Sequence, residues 1–179
     1  MVLLGDTQDI TRPGQFVNIK LDNFYLRRPI SVCDREEGVL TIVYKVVGKG
    51  TEVMAGMGSG EKLNVLSGLG NGYDISKSGD NPLLLGGGVG VPPLYMLCKE
   101  LIKAGKEPTV ILGFNSSDEI ILAEDFRALG ANVIVTTVDG SYTAPESRLE
   151  TAIAIARYVL PVPAGPIPNT ISCPRTART

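Results

Sequence analysis

The stretch "LLLGGGVGVPPL", Leu83 to Leu94, places four glycines within five positions, between an apolar run and two prolines. The apolar run is typical of a short buried strand, and the residues after the prolines repeat apolar side chains at helical spacing. Pro93 suits the first turn of a helix, where its missing N–H leaves no hydrogen bond unmade. The stretch therefore predicts a strand, a tight turn and a helix.

A turn of this kind is where an open α/β sheet binds nucleotides, because bare backbone N–H groups and a helix N-terminus attract a diphosphate. Counted from Gly88, the spacing is G-x-G-x-x-P rather than the G-x-G-x-x-G of dinucleotide-binding folds. The candidate nucleotide-binding residues are Gly86, Gly87, Gly88 and Gly90. A plain strand-to-helix turn in any α/β protein is the alternative explanation.

The residues on either side of this stretch follow two different periods. From Gln15 to Leu66, "QFVNIKL" and "VLTIVYKVV" alternate apolar and polar side chains, which predicts a small antiparallel barrel over residues 1–70. Downstream, "PTVILGF", "LAEDFRALG" and "NVIVTTV" read as strand, helix and strand, so residues 81–142 are predicted to form a doubly wound parallel sheet. Residues 143–179 are proline-rich near their end and fit neither pattern, so they are predicted to be an irregular tail.

A second candidate site lies in the barrel half. Arg28, in "RRPIS", enters a strand, and "GKGT", Gly48 to Thr51, precedes a short helix with Thr51 as its expected N-cap. An arginine and such a helix start would together neutralise a diphosphate. Either piece alone is a weak signal, since Gly-x-Gly-Thr is a common turn and an arginine beside a proline often ends a solvated strand.

Composition narrows the function classes. The chain has a formal charge of −2 and shows no basic stripe, so neither its charge nor its pattern indicates nucleic-acid binding. It contains no histidine, which excludes Ser-His-Asp and Cys-His catalysis and most zinc sites. Three scattered cysteines and no long apolar segment predict a reducing, cytoplasmic setting away from membranes. Enzyme chemistry would therefore rely on a bound cofactor.

The order of these motifs resembles the ferredoxin-reductase superfamily, in which a flavin-binding barrel precedes a domain that binds a nicotinamide nucleotide. Within it, "PGQFVNIKL", "LRRPISVCD", "TIVYKVVGKGT", "LLLGGGVGVPPLYMLCKEL" and "TTVDGSY" resemble the electron-transfer subunit of NAD-dependent dihydroorotate dehydrogenases. The resemblance runs from Met1 to about Tyr142. It implies FAD and NAD as cofactors and an FMN-containing dihydroorotate dehydrogenase catalytic subunit as partner in a hetero-oligomer.

The resemblance also assigns site residues. The flavin site that it implies consists of Arg28, Pro29, Ile30, Ser31, Val43, Tyr44, Lys45, Gly50 and Thr51. Within that set, Arg28 would pair with the FAD diphosphate and Ser31 would lie near the reactive edge of the flavin ring. The glycines Gly86 to Gly90 would hold the nicotinamide nucleotide, with Asp139, Gly140 and Ser141 beside the same pocket. After the second strand, Asp118 and Glu119 are either site residues or solvated loop residues, and the absence of lysine or arginine from this loop favours NAD over NADP.

Two departures from the family lead to further expectations. Relatives begin with a barrel strand upstream of Met1, so the barrel is expected to lack an edge strand and the chain to be truncated at both ends. Relatives also continue into a cysteine-rich region that holds a [2Fe–2S] cluster, which needs four thiolates. This chain has three cysteines, so no cluster is expected. The alternative functions are another NAD(P)H-dependent flavin reductase, such as a ferredoxin-NADP reductase or sulfide dehydrogenase subunit, or a non-catalytic nucleotide-binding remnant.

Overall fold

An antiparallel sheet followed by a parallel sheet makes up the fold in a computed structural model that describes residues 1–142. The predicted tail, residues 143–179, lies outside the described residues. The expected fold class, an antiparallel barrel-like sheet followed by an α/β domain, is confirmed by this arrangement.

The antiparallel sheet has five strands in the order β1-β4-β3-β2-β5. Its strands are β1 (Val2–Leu4), β2 (Phe16–Lys20), β3 (Arg28–Glu36), β4 (Val39–Ile42) and β5 (Asn64–Leu69). The register shifts between Phe16 and Asn18 and again between Val32 and Asp34, and such irregularities bend a strand and increase its twist. The sheet curls around a core that includes Val17, Ile19 and Ile42, each fully buried.

Helix α1 (Lys49–Ala55) follows β4 and closes one end of this core with the fully buried Met54. The sequence predicts a strand through Val47, but β4 ends at Ile42. Ile42 pairs with Val32 of β3, and beyond that point β3 pairs with β2 through residues 28–31. Residues 43–47 therefore form no ladder and lead irregularly into α1.

The parallel sheet has the order β6-β7-β8, with β6 (Leu83–Gly87), β7 (Thr109–Phe114) and β8 (Asn132–Thr137). Helices α2 (Pro92–Lys103) and α3 (Ala123–Ala128) are the crossovers, and each predicted strand and helix of this half is confirmed to within a few residues. In the described part of the chain, both helices pack on one face of the sheet, where Leu112, Leu97 and Phe126 are buried together. Burial of these apolar side chains drives the two crossovers onto the sheet.

Helix α2 also contacts the other half of the molecule. Its Met96 side chain is 6% exposed and belongs to the antiparallel core rather than to the parallel one. The helix is thus buried on two sides, between the parallel sheet and strand β3. This contact joins the two candidate cofactor regions through one strand and one helix.

Candidate cofactor site

Arg28 is the first residue of β3, and its guanidinium is fixed on two sides. It lies over the Phe24 ring, 4.8 Å from the ring centroid, and donates a hydrogen bond to the Leu26 carbonyl. On the other side lies Gly50 of α1, where an added Cβ would come within 2.1 Å of Arg28 Nε. Gly50 is therefore required for Arg28 to lie against the start of α1.

No carboxylate among residues 1–142 forms an ion pair with Arg28. A half-buried guanidinium that is held in place without an anionic partner is suited to bind an anion from outside the chain. The predicted pairing of Arg28 with a diphosphate thus fits the residues around it.

The four residues of the RPIS motif lie at one strand end but on two faces of the sheet. Ile30 is opposite the buried Val17 and packs against the antiparallel core, whereas Pro29 and Ser31 are exposed on the other face. This follows from the period of two in a β-strand. The structure therefore places the predicted aliphatic shelf and the predicted Ser31 contact on opposite sides of β3.

Thr51 does not cap α1 as predicted. The N-cap is Gly48, and Thr51 is the third helical residue. The Thr51 hydroxyl accepts hydrogen bonds from the backbone N–H groups of Val47 (3.0 Å) and Gly48 (3.2 Å), and donates to the Gly48 carbonyl at 2.8 Å. A side chain at this position reaches back to satisfy donors of the preceding turn, which is half of a capping box.

Val43, Tyr44 and Lys45 lie in the irregular segment between β4 and α1. Tyr44 packs against the antiparallel core, and burial raises the pKa of its hydroxyl. Lys45 reaches across to the parallel half, where its Nζ lies 3.1 Å from Glu119 Oε1. Two residues that the sequence assigns to different cofactors therefore contact each other.

The four candidate glycines between β6 and α2 have different surroundings. At Gly86 an added Cβ would lie 2.8 Å from Leu94 Cδ1 and 3.1 Å from Val91 Cα, so this glycine allows α2 to pack close to the strand. Gly88 has a φ of +49°, a conformation that favours glycine. Gly87 would make only an ordinary contact at 3.8 Å, and Gly90 has open space around it. Helix packing and backbone conformation thus explain two of the glycines, and nothing within the described residues requires the other two.

The loops that follow the three parallel strands meet at one edge of the sheet. After β8, Asp139 Oδ1 accepts hydrogen bonds from the Ser141 N–H (2.9 Å) and hydroxyl (2.7 Å), and these bonds lower the pKa of Asp139. The Ser141 hydroxyl in turn accepts from the Ser117 N–H, at 2.8 Å, in the loop after β7. Gly140 turns between them with a φ of +70°. The predicted residues 139–141 therefore hold the β7 loop beside the glycine turn.

Glu119, in the loop after β7, is a second carboxylate at this edge of the sheet. Its carboxylate accepts hydrogen bonds from Lys45 and from Asn115 Nδ2 (2.8 Å), and these two contacts, Lys45 first, lower its pKa. The loop itself has no lysine or arginine, but the tertiary structure brings in Lys45 from the other half. Asn115 was missed from the sequence, because an asparagine after a strand resembles any turn residue.

Sequence reasoning also missed the contact between the two halves. Phe24 has no motif that marks it as the support of Arg28. Lys99 of α2 contacts Asp34 of β3 with both carboxylate oxygens within 3.0 Å of its Nζ, and no pattern linked these two residues. The available signal was the helical spacing of Met96 and Lys99, which marks a second face on α2.

Curated relatives share this region of the chain. An electron transfer subunit of dihydroorotate dehydrogenase B (NAD(+)) from Fusobacterium nucleatum subsp. nucleatum is 46% identical over 136 residues, which are 72% of this chain and 52% of the relative. The subunit of the same name from Streptococcus mutans is 43% identical over 148 residues, which are 79% and 57% of the two chains. The matched region is similar in sequence to these electron transfer subunits. The chain spans about half the length of the curated relatives it matches.

Solved structures agree with this family and fold. The structure of an NADH-dependent reduced ferredoxin-NADP oxidoreductase superposes with a TM-score of 0.69 at 36% identity, covering 82% of this chain and 54% of that one. The cytochrome b5 reductase domain of Ulva prolifera nitrate reductase has a TM-score of 0.58 at 17% identity, covering 72% and 61%, and shows the fold alone. No protein-family model matches the sequence. The predicted resemblance to the electron transfer subunits is confirmed, and these relatives are oxidoreductase subunits.

Residues 1–142 contain neither a candidate membrane-spanning helix nor a cluster of potential metal ligands. None of their helices has the length and apolar content needed to cross a membrane. No group of three or more potential metal ligands occurs among the same residues.

Proposed function

We propose that this chain binds FAD in its antiparallel half and NAD in its parallel half, and acts as the electron transfer subunit of a dihydroorotate dehydrogenase. The observation that carries the proposal is the fixed, unpaired Arg28 guanidinium against Gly50. The partner of the chain would be the catalytic subunit that the name 'electron transfer subunit' implies, and the sequence resemblance implies that this partner contains FMN. The buried free thiols of Cys33 and Cys98 support a reducing, cytoplasmic setting.

Each half contributes recognisable groups to its cofactor. Arg28 would neutralise the FAD diphosphate, while Ile30 and Tyr44 offer apolar surface beside it. Gly87 and Gly90 leave room for the NAD diphosphate at the start of α2, and Glu119 would accept a hydrogen bond from a ribose hydroxyl. With both cofactors bound, the chemistry that they would supply is hydride transfer between flavin N5 and nicotinamide C4; when dihydroorotate is the source of electrons, the reduced flavin is oxidised and NAD⁺ is reduced by two electrons.

The described side chains would position the two cofactors and would not donate or accept protons during the reaction. Hydride transfer itself needs no proton donor or acceptor from the side chains of residues 1–142, and Lys45, Glu119 and Asp139 are held in an ion pair or hydrogen bonds. A second candidate function, reduction of ferredoxin, is favoured by the likeness to the NADH-dependent oxidoreductase structure. Assays with dihydroorotate plus the catalytic subunit, and separately with ferredoxin, distinguish the two.

The test of FAD binding is equilibrium dialysis of the reconstituted chain, comparing wild type with Arg28→Ala. Loss of a charge-assisted contact worth about 1.5–3 kcal/mol should raise the FAD dissociation constant by roughly 10- to 150-fold. Arg127→Ala is the matched control, because Arg127 is held by Glu124 on the surface of α3 and should leave FAD binding unchanged. A wild-type chain that binds no FAD at saturating concentration contradicts the proposal.

We further propose that this chain carries no [2Fe–2S] cluster. A cluster needs four thiolates, and the chain has three cysteines, of which Cys33 and Cys98 are buried within the fold. Iron and sulfide analysis after anaerobic purification should find neither in stoichiometric amount. A stoichiometric low-temperature EPR signal from the reduced, isolated chain would show instead that several chains share a cluster.

A further inference from the structure

One strand and one helix connect the two candidate cofactor regions. Strand β3 begins with the flavin motif, Arg28 to Ser31, and carries Asp34 three residues after it. Helix α2 begins directly after the glycine turn and carries Lys99 about two turns further on. Although the register of β3 shifts between Val32 and Asp34, Asp34 lies only three residues beyond the motif, so the contact between Asp34 and Lys99 connects the two motifs by a short path.

The Asp34–Lys99 pair is the most buried ion pair among residues 1–142. Lys99 Nζ donates to Asp34 Oδ1 (3.0 Å) and Oδ2 (2.8 Å), and Glu36 Oε1 lies 3.7 Å away. The Lys99 and Asp34 side chains are 20% and 17% exposed. Burial alone would lower the pKa of Lys99, but the hydrogen bond and charge of Asp34, with help from Glu36, raise it overall, so the ammonium stays charged.

The rest of the contact is apolar and less directional. Met96, one turn before Lys99, inserts into the antiparallel core. Methionine is flexible and fits several packing arrangements, so it provides attraction between the halves without defining one register. An ammonium held by both oxygens of one carboxylate does define a register, because sliding the helix would break these hydrogen bonds in a poorly solvated place.

We propose that Asp34 and Lys99 are positioning residues for hydride transfer, holding α2 in one register on β3 and thereby setting the separation of nicotinamide and flavin. This inference rests on the proposed function. Hydride transfer needs the reacting atoms about 3–3.5 Å apart, and a displacement of about 1 Å can cost roughly 100-fold in rate. Neither residue belongs to the two candidate cofactor-binding sets, so the pair would act through the strand and the helix that carry it.

The test compares Lys99→Met with Lys103→Met. Lys103 lies on the same helix and is 60% exposed, and among residues 1–142 its one ion pair is with Glu100 of its own helix, so it is the matched control. Stopped-flow reduction of the FAD-loaded chain at saturating NADH should slow at least tenfold in Lys99→Met and stay unchanged in Lys103→Met. The dissociation constants of FAD and NADH should change less than threefold in both variants, and Lys99→Arg should restore most of the rate.

A measurement without cofactors accompanies the kinetics. Calorimetric unfolding of the unliganded wild-type chain should give one transition, and Lys99→Met should split it into two because the halves no longer unfold together. A single transition at the wild-type temperature in Lys99→Met would overturn the inference, as would a wild-type reduction rate.

Lys99→Met leaves Asp34 unpaired in a half-buried place, so this variant can lose its fold altogether. The neutral double variant Asp34→Asn with Lys99→Met removes that charge, and it should fold and show the same slow reduction. A folded double variant with the wild-type rate overturns the inference, while FAD binding and reduction in the wild type keep the proposed function intact. A wild-type chain that binds no FAD would contradict both the proposed function and this inference.

Discussion

At the scale of single residues, the glycines of the turn differ in whether the fold itself requires them. Gly86 is needed for helix packing and Gly88 for a positive φ, so substitutions at either would disturb the fold whether or not a ligand binds. Gly90 has neither constraint, since an added Cβ meets nothing within 4 Å. It is therefore the position where the effect of a bound dinucleotide can be measured by itself.

We expect Gly90→Val to raise the NADH dissociation constant at least tenfold, because the new side chain would occupy space that the diphosphate needs. The free energy of unfolding and the FAD affinity should change by less than about 0.5 kcal/mol. Titration of the FAD-loaded chain with NADH measures the NADH dissociation constant, and urea denaturation measures the free energy of unfolding. Gly79→Val, at an equally open glycine in the connector, is the control. Unchanged NADH affinity in Gly90→Val would show that the turn holds no dinucleotide.

Among the elements, α2 has the most demanding position, because it packs against β6 on one side and β3 on the other. Its approach to β6 depends on Gly86, whose missing Cβ leaves room for Val91 and Leu94. Because interiors are close-packed, even one added methyl group between a helix and a strand is felt. The lack of a side chain at Gly86 therefore allows α2 to lie as close to the parallel sheet as it does.

Gly86→Ala should lower the free energy of unfolding by about 1–3 kcal/mol, the usual cost of overpacking. Gly87→Ala is the matched control in the next position, since its Cβ would make an ordinary 3.8 Å contact and its cost should stay near 0.5 kcal/mol or less. Urea denaturation of the two variants without cofactors measures both. Equal stabilities would mean that α2 can shift to accommodate the methyl group at no cost.

For the whole molecule, two buried thiols make the free energy of unfolding depend on pH in the alkaline range. Burial is the main cause that raises the pKa of Cys33 and of Cys98, each from an ordinary value of 9.0 to about 11. Above pH 9 the unfolded chain therefore loses thiol protons that the folded chain still holds. The pKa of each thiol is higher in the folded chain than in the unfolded chain. The thiols' contribution to the free energy of unfolding is therefore fully present below pH 9 and is lost as the pH rises to about 11.

We expect the free energy of unfolding to fall over this range, by at most about 2–3 kcal/mol for each thiol. A double variant, Cys33→Ala with Cys98→Ala, should show a flatter pH dependence between pH 9 and 11 than the wild type. Urea denaturation at a series of pH values gives both curves, and other titrating groups cancel in the comparison. The same slope in wild type and double variant would mean that the thiols titrate normally in the fold.

Most elements of the parallel half could be predicted because their signals are local. Strands β6, β7 and β8 are continuous apolar runs bounded by Gly and Pro, and α2 repeats Leu94, Leu97 and Leu101 on one face. The end of β4 could not be predicted, since alternation continues to Val47 while the pairing stops at Ile42. The length of a strand depends on whether a partner lies beside it, and that information is not in its own residues.

The amino-acid sequence by itself determined the two-part order, the glycine turn and the family, because period, turn chemistry and motif order are properties of neighbouring residues. Only the tertiary structure decided that Gly50 makes room for Arg28, that Lys45 reaches Glu119, and that Asp34 holds Lys99. Each of these contacts joins residues that are distant along the chain. Their formation depends on the packing of α2 on β3 and of α1 on the curled sheet, and a one-dimensional pattern does not contain that packing.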